Sequence, residues 1–256
     1  MTDQTERLAV VSGGTSGIGL AIARRLARDG FDLVVLGRDE RRGREAARTL
    51  TDEGRKRAQF LALASEDFAA YPQLNEVLDG RAVHAVVAAA AIGWQTHALD
   101  TPVDQFADVL AVNVLGPLHL VQTLAPRLAD GSAVVLVSSD AALLGEQATG
   151  AYSVSKAALN MLGRMLALDL APRGVRVNVV CPGDIVPGMR YLLHPGQTAR
   201  DPHEYQTWPV PPRGRLGEAR DVAEMVSFLV SDRADFLVGS IITLDGGSRA
   251  GVRDPS

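Results

Sequence analysis

Apolar strand-like runs alternate with helix-periodic segments along this chain, and that alternation restricts the fold more than any other feature. Leu8–Ser12, Asp32–Leu36, Gln59–Leu63, Ala85–Ala89, Ser132–Ser138, Val175–Cys181 and Ile241–Leu244 read as seven strands. Several are apolar at successive positions, as strands are when helices cover both faces of their sheet. Between them, Gly17–Arg28, Asp39–Glu53, Asp67–Leu78, Val103–Ala129, Ala151–Ala171 and Ala219–Val230 carry helical periodicity. The pattern predicts an α/β fold, a doubly wound sheet of seven parallel strands with helices on both faces. No Pro- or Gly-rich linker divides the 256 residues, so 1–256 read as a single domain. One stretch breaks the rhythm: Gly188–Gly217 carries Pro195, Pro202, Pro209, Pro211 and Pro212 with Tyr191, Leu192, Leu193, Tyr205 and Trp208 among them. A connection this long is usually functional or disordered, and the aromatic content favours a substrate lid at about 188–217.

Composition excludes several function classes. Lys+Arg (26) nearly balance Asp+Glu (30), with no basic block to attract nucleic acid or a membrane surface. Cys181 is the only cysteine, so there is no disulfide framework, and the five histidines are scattered without metal-ligand spacing. No metal site is expected. The polar N-terminus lacks a signal-peptide pattern and no apolar run reaches the ~20 residues of a membrane span, so a cytoplasmic, soluble protein is expected.

Two local patterns carry chemistry. Ser12-Gly13-Gly14-Thr15-Ser16-Gly17-Ile18-Gly19 joins the first strand to the first helix. Glycines there let the backbone turn tightly and approach a diphosphate lying at the positive helix N-terminus, which makes Gly13, Thr15, Ser16, Gly17, Ile18 and Gly19 candidate cofactor residues of a Rossmann-type domain. At the end of the second strand, Gly37 stands where an acid would read a free ribose, and Arg38 follows it. A guanidinium suits a phosphate monoester by charge and forked geometry, so NADP(H) is expected. The second pattern is Tyr152 and Lys156, four apart at the start of an apolar helical run, hence on one face. A free phenol titrates near pH ~10, and a nearby ammonium lowers that value, giving a tuned acid/base.

With these motifs the chain resembles the short-chain dehydrogenase/reductase family over nearly its whole length. Asn113-Val114-Leu115-Gly116 is similar to the family's mid-helix Asn-x-x-Gly. Val137-Ser138-Ser139 is similar to the end of its fifth strand, and Cys181-Pro182-Gly183 to its Pro-Gly turn. Arg215-Leu216-Gly217, Asp221-Val222-Ala223 and Asp245-Gly246-Gly247 resemble its C-terminal signature. The resemblance implies that Tyr152 exchanges a proton with the alcohol or carbonyl oxygen. It implies that Lys156 depresses the Tyr152 pKa and holds the nicotinamide ribose, that Ser139 polarises the carbonyl, and that Asn113 holds a water linking Lys156 to solvent. Ala89, Ala90, Pro182, Gly183 and the backbone of Ile185 would complete the cofactor site. The chain departs from the family where Ala88-Ala89-Ala90-Ala91 replaces Asn-Asn-Ala-Gly, which puts local rigidity in doubt and would push the backbone at Ala91 away from the cofactor. It departs again where Ala64-Ser65 replaces an adenine-contacting Asp, and where Pro187 occupies a position near the carboxamide contact.

The implied activity is NADPH-dependent reduction of a ketone to a secondary alcohol, with Ser139, Tyr152, Leu192 and Trp208 facing the substrate. The apolar lid, with Trp94 and Leu143, suggests a bulky or polycyclic ketone. The Ala- and Arg-rich composition resembles that of reductases that tailor aromatic polyketides. An NAD(P)-dependent dehydrogenase of a steroid, sugar or acyl-type alcohol and a non-catalytic NADP-binding sensor are the alternatives. A second apolar stripe on the Ala151–Ala171 helix, Met161, Met165 and Leu168, predicts a homo-oligomer, a dimer or tetramer.

Overall fold

The computed structural model describes residues 7–54, 56–186, 189 and 209–251. Seven strands form one parallel sheet: β1 (Leu8–Ser12), β2 (Asp32–Gly37), β3 (Ala58–Ala62), β4 (Val83–Ala88), β5 (Leu128–Val137), β6 (Arg176–Pro182) and β9 (Ile241–Leu244). Their spatial order is β3–β2–β1–β4–β5–β6–β9. Two short strands, β7 (Ile185–Val186) and β8 (Gly217–Glu218), pair separately in parallel. The helices are α1 (Gly17–Arg28), α2 (Glu40–Gly54), α3 (Pro72–Leu78), α4 (Val103–Leu110), α5 (Gly116–Leu124), α6 (Gly150–Leu170) and α7 (Ala219–Leu229).

The successive apolar positions of the strands serve two cores. Leu8, Val10, Val34, Val86 and Val134 face Leu74 and Leu78 of α3, Leu120 and Leu124 of α5, and Leu159 and Leu166 of α6. Their neighbours Ala9, Val11, Val35, Val87 and Val135 face Ile22 and Leu26 of α1, Leu50 of α2, and Val222 and Val226 of α7. Each such leucine or valine contributes about 1.5–3 kcal/mol on burial, so both faces of the sheet hold helices against it. The chain runs outward from β1 to β3 on one side and from β4 to β6 on the other. Strand order therefore reverses between β1 and β4, and a crevice opens at their C-terminal ends.

The sheet and its parallel sense are those the sequence predicts. β1, β9 and α1 begin and end at the expected residues. Two expected helices are divided. Val103–Ala129 is not one helix: a π-turn at Ala111–Leu115 separates α4 from α5, and a 3-10 turn at Ala125–Arg127 ends it before β5 starts at Leu128. Pro126 cannot continue a helix interior, which sets that stop. Pro72 likewise splits Asp67–Leu78 into a 3-10 turn, Phe68–Ala70, and the short α3. By length and composition Val103–Arg127 could cross a membrane, yet Val109, Leu120, Val121 and Leu124 are buried inside the protein.

Most of the expected lid, including Tyr191, Leu192, Leu193, Tyr205 and Trp208, lies outside the described residues, as does Pro187. Its last part, 209–217, does not hang free. Arg213 N–H donates to Gly246 O at 2.9 Å, and Gly217 pairs with Ile185.

Candidate active site

The loop between β1 and α1 is built for close approach. Gly13 has φ +67°, and a β-carbon on it would lie 2.7 Å from the Ala90 nitrogen. A β-carbon on Gly19 would strike Gly13 O, and Gly17 also has positive φ. Ser16 precedes α1 but its side chain makes no capping bond, and the first turn of α1 contains no acid. Among the described residues the first N–H groups of that helix thus have neither a capping side chain nor an acid in the first turn, an arrangement that fits a diphosphate. Thr15 leans over the end of β2, where a β-carbon on Gly37 would come 2.9 Å from Thr15 Cγ2. Arg38 is exposed and has no ion pair among the described residues. Arg42, by contrast, is held by Asp39, whose Oδ1 accepts the Arg42 N–H and whose Oδ2 accepts from Nε, both at 2.9 Å. That backbone bond, with the Arg42 charge, holds the Asp39 carboxyl below its usual pKa.

The loop after β4 passes over this one. Ser12 Oγ accepts from Ala89 N at 3.2 Å and from Ala90 N at 3.4 Å. Asn113, fully buried in the π-turn, grips Ile92 at both ends: Oδ1 accepts from Ile92 N at 2.9 Å and Nδ2 donates to Ile92 O at 2.8 Å. The second Nδ2 hydrogen goes to Ser155 Oγ at 2.9 Å. Both amide hydrogens are therefore committed, and the side chain acts as a clamp between the post-β4 loop and α6. A water linked to Lys156 through Asn113 would have to be held by other atoms of that residue than its NH2 group. None of Ala88–Ala91 takes a positive φ, so the expected backbone displacement at Ala91 has no strained conformation behind it.

α6 carries Tyr152 and Lys156 into the same region. Lys156 is 2% exposed; its Nζ donates to Val137 O at the end of β5 at 2.8 Å and lies 5.5 Å from the centre of the Tyr152 ring. Burial pushes its pKa down to about 8, which leaves the ammonium form dominant at neutral pH. Ser155 Oγ donates to Tyr152 O at 2.7 Å, and Ser138 Oγ donates to Lys156 O at 3.1 Å. Ser139, two residues past β5, caps the 3-10 turn Asp140–Ala142, which packs on α6. Its Oγ accepts from Ala141 N at 3.2 Å.

Beyond β6, Gly183 N–H donates to Leu244 O at 3.0 Å, and a β-carbon on Gly183 would come 2.9 Å from Asp245 Cβ. Ile185 is buried in β7. β8, which pairs with it, leads into α7 through a capping box: Asp221 Oδ2 accepts Glu218 N–H at 2.8 Å while both Asp221 oxygens hold Arg215 at 2.7 and 2.8 Å. The Arg215 bonds hold the Asp221 carboxyl well below the usual carboxylate range.

The structure thus brings Ser139, Tyr152, Lys156 and Asn113 onto adjoining elements at the C-terminal end of the sheet, with the glycine loop beside them. Leu192 and Trp208 lie outside the described residues. Sequence reading missed Ser12 and Ser155. Ser155 alone had a local signal, since it sits three residues from Tyr152 on a face that must be buried. Among the described residues no group of three His, Cys, Asp or Glu is placed to hold a metal ion.

A family model described as enoyl-(acyl carrier protein) reductase matches residues 13–249. Human dehydrogenase/reductase SDR family member 2, mitochondrial, is 36% identical over 249 residues, covering 94% of this chain and 86% of its own. The NADP-dependent (R)-specific alcohol dehydrogenase of Lentilactobacillus kefiri is 31% identical over 258 residues, covering 98% of this chain and 100% of its own. The crystal structure of a dehydrogenase/reductase from Sinorhizobium meliloti has a TM-score of 0.84 at 30% identity and covers 95% of each chain. Sheet, glycine loop and relatives together define an NAD(P)-dependent oxidoreductase. The chain belongs to the short-chain dehydrogenase/reductase family, whose members act on small molecules and are usually oligomeric.

Proposed function

We propose that this protein reduces a ketone to a secondary alcohol with NADPH. The observation that carries the reading is the Tyr152–Lys156 pair: a buried ammonium 5.5 Å from the phenol ring, fixed on Val137 O at the end of β5, two residues before Ser139. The ammonium favours the phenolate and so makes the Tyr152 hydroxyl a better proton donor to a developing alkoxide. Ser139 donates a hydrogen bond to the carbonyl oxygen as charge builds there. Asn113 holds the loop over the crevice and keeps α6 in register with it. Bound nicotinamide supplies the hydride. Gly13, Thr15, Ser16, Gly17, Ile18 and Gly19 would hold the diphosphate, Ala89, Ala90, Pro182, Gly183 and Ile185 the nicotinamide half, and Lys156 its ribose.

NADPH is preferred in this reading because Arg38, with no ion pair among the described residues, stands beside Gly37, where no acid repels a 2′-phosphate. The similarity to an NADP-dependent alcohol dehydrogenase supports it. The exposed Leu143 and Leu144, beside the Ser139 turn, favour a bulky apolar ketone. An aromatic polyketide intermediate is one such substrate. Exposed Val154, Met161, Met165 and Leu168 on α6 supply an apolar face for a second copy of the chain.

The test is NADPH oxidation with a panel of bulky and small ketones, with Tyr152→Phe as control. Turnover that falls at least a hundredfold in Tyr152→Phe, with NADPH still bound, is the expected result. Binding without turnover on any ketone, or undiminished turnover in Tyr152→Phe, overturns the proposal. Arg38→Asp should weaken NADPH and spare NADH; equal losses for both refute the phosphate assignment.

A further inference from the structure

The single hydroxyl hydrogen of Ser139 has two claimants. A substrate carbonyl needs it, and Asp140 Oδ1 already accepts it at 3.3 Å. That contact is slack, since an O–H···O⁻ bond usually measures about 2.5–2.7 Å. The other carboxylate oxygen is engaged elsewhere. Arg249 Nε donates to Asp140 Oδ2 at 3.1 Å, with the two side chains only 23% and 19% exposed.

Arg249 does not arrive there by chance of side-chain reach. Asp245, just past β9, accepts Gly247 N–H on Oδ1 and Arg249 N–H on Oδ2, each at 2.9 Å. Gly246 and Gly247 both take positive φ, turning the chain back toward β5. The Arg213 N–H on Gly246 O holds the turn from outside. Asp184 adds a second carboxyl to the neighbourhood. Desolvation and the Asp140 charge raise its pKa while Arg249 lowers it, so Arg249 is the cation that both acids share.

We propose that Arg249 is a positioning residue for Ser139, acting through Asp140. By drawing the carboxylate to itself it weakens the hold of Asp140 on the Ser139 hydroxyl and leaves that hydrogen free for the substrate carbonyl. The inference rests on the reading of Ser139 as a donor to substrate. Without Arg249, Asp140 is an uncompensated anion whose nearest hydroxyl is Ser139, and a bond to a charged acceptor is about twice as strong as a neutral one. The substrate must then compete for the hydrogen.

The full chain is assayed with NADPH and the ketone it turns over best. Arg249→Ala is expected to lower kcat about tenfold, short of the ~100-fold or more that loss of a whole oxyanion donor costs, with NADPH affinity unchanged. Arg249→Lys restores most of the rate. The decisive variant is Asp140→Asn with Arg249→Ala, which should be faster than Arg249→Ala alone, because a neutral amide competes less for the hydroxyl. A purely structural ion pair predicts that the double variant recovers Tm, because no uncompensated carboxylate stays buried, but that the two variants share one kcat wherever both are fully folded. If Arg249→Ala lowers Tm, the comparison of that variant with the double variant at a temperature where both are folded still decides. Unchanged kcat in Arg249→Ala while Ser139→Ala is crippled, or a double variant no faster than Arg249→Ala, overturns the proposal. Full activity in Ser139→Ala instead overturns the donor role of Ser139 itself.

Discussion

Replacing Lys156 by methionine should change how stability depends on pH more than stability itself. The ammonium is buried with one hydrogen bond, to Val137 O, and burial lowers its pKa from 10.5 to about 8. That shift corresponds to roughly 3 kcal/mol of penalty for holding the charged form in the native state. Below about pH 8 the lysine is protonated in both native and unfolded chains, and the penalty is present in full. Between about pH 8 and 10.5 the unfolded chain binds more protons than the native one, so stability rises with pH. This contribution is complete above 10.5 and is lost as pH falls through 8. Of the total, about 2 kcal/mol accrues between about pH 7 and pH 9.5. Methionine carries no charge, and it leaves Val137 O without its donor at a cost of about 1–3 kcal/mol that does not depend on pH. The wild-type unfolding free energy should therefore gain about 2 kcal/mol on that of Lys156→Met as pH is raised across this interval. Urea denaturation of the cofactor-free protein, at one protein concentration, measures it. Parallel pH profiles for the two proteins would refute the claim that burial depresses this lysine.

Three further outcomes follow from close contacts and hydrogen bonds in the fold. Gly37→Asp alone should weaken NADH and NADPH alike, because its β-carbon meets Thr15, while Thr15→Ala in the same chain should restore NADH binding in a fluorescence titration; tight NADH binding by Gly37→Asp alone would remove the steric argument. Asn113→Ala strands Ile92 and Ser155 and should lower unfolding stability by about 2–4 kcal/mol, read by urea denaturation; a loss under about 0.5 kcal/mol would show the clamp to be idle. In Gly43→Ala the new β-carbon would overlap the Phe60 ring. It should therefore destabilise by about 1–3 kcal/mol despite better helix propensity, with recovery in Gly43→Ala/Phe60→Leu, and a rise in Tm would refute the packing.

What the sequence disclosed follows the range of the physics involved. β1, α1 and β9 are bounded by turns and by a change of period, so their limits can be read locally. The π-turn at Ala111–Leu115 cannot be read this way, because one extra residue in a helical turn barely alters an apolar pattern over a long window. β7 and β8 are two residues each, below the length at which alternation means anything. The Tyr152–Lys156 pair is visible because a helix converts spacing into proximity. Ser12 to Ala89 spans 77 residues and Arg249 to Asp140 spans 109, and no local pattern encodes either contact.

The four alanines at the end of β4 and just beyond it show how such long contacts replace a missing motif. Ala88–Ala91 has no polar side chain with which to tie itself to its neighbours, which by sequence puts local rigidity in doubt. Instead its backbone is held from both sides by groups on other elements. Ser12 on β1 takes the N–H groups of Ala89 and Ala90, and Asn113 takes both polar atoms of Ile92. The loop is thereby drawn so close to Gly13 that a β-carbon there would sit 2.7 Å from the Ala90 nitrogen. Rigidity has moved from the loop's own side chains to its surroundings, and the constraint has moved with it. Small side chains are exchangeable at 88–91 as long as the backbone keeps its partners, whereas Gly13, Ser12 and Asn113 can no longer vary independently. A polar side chain returned to position 88 would meet a loop whose nearest N–H groups already have acceptors, and it would add little unless Ser12 were removed first.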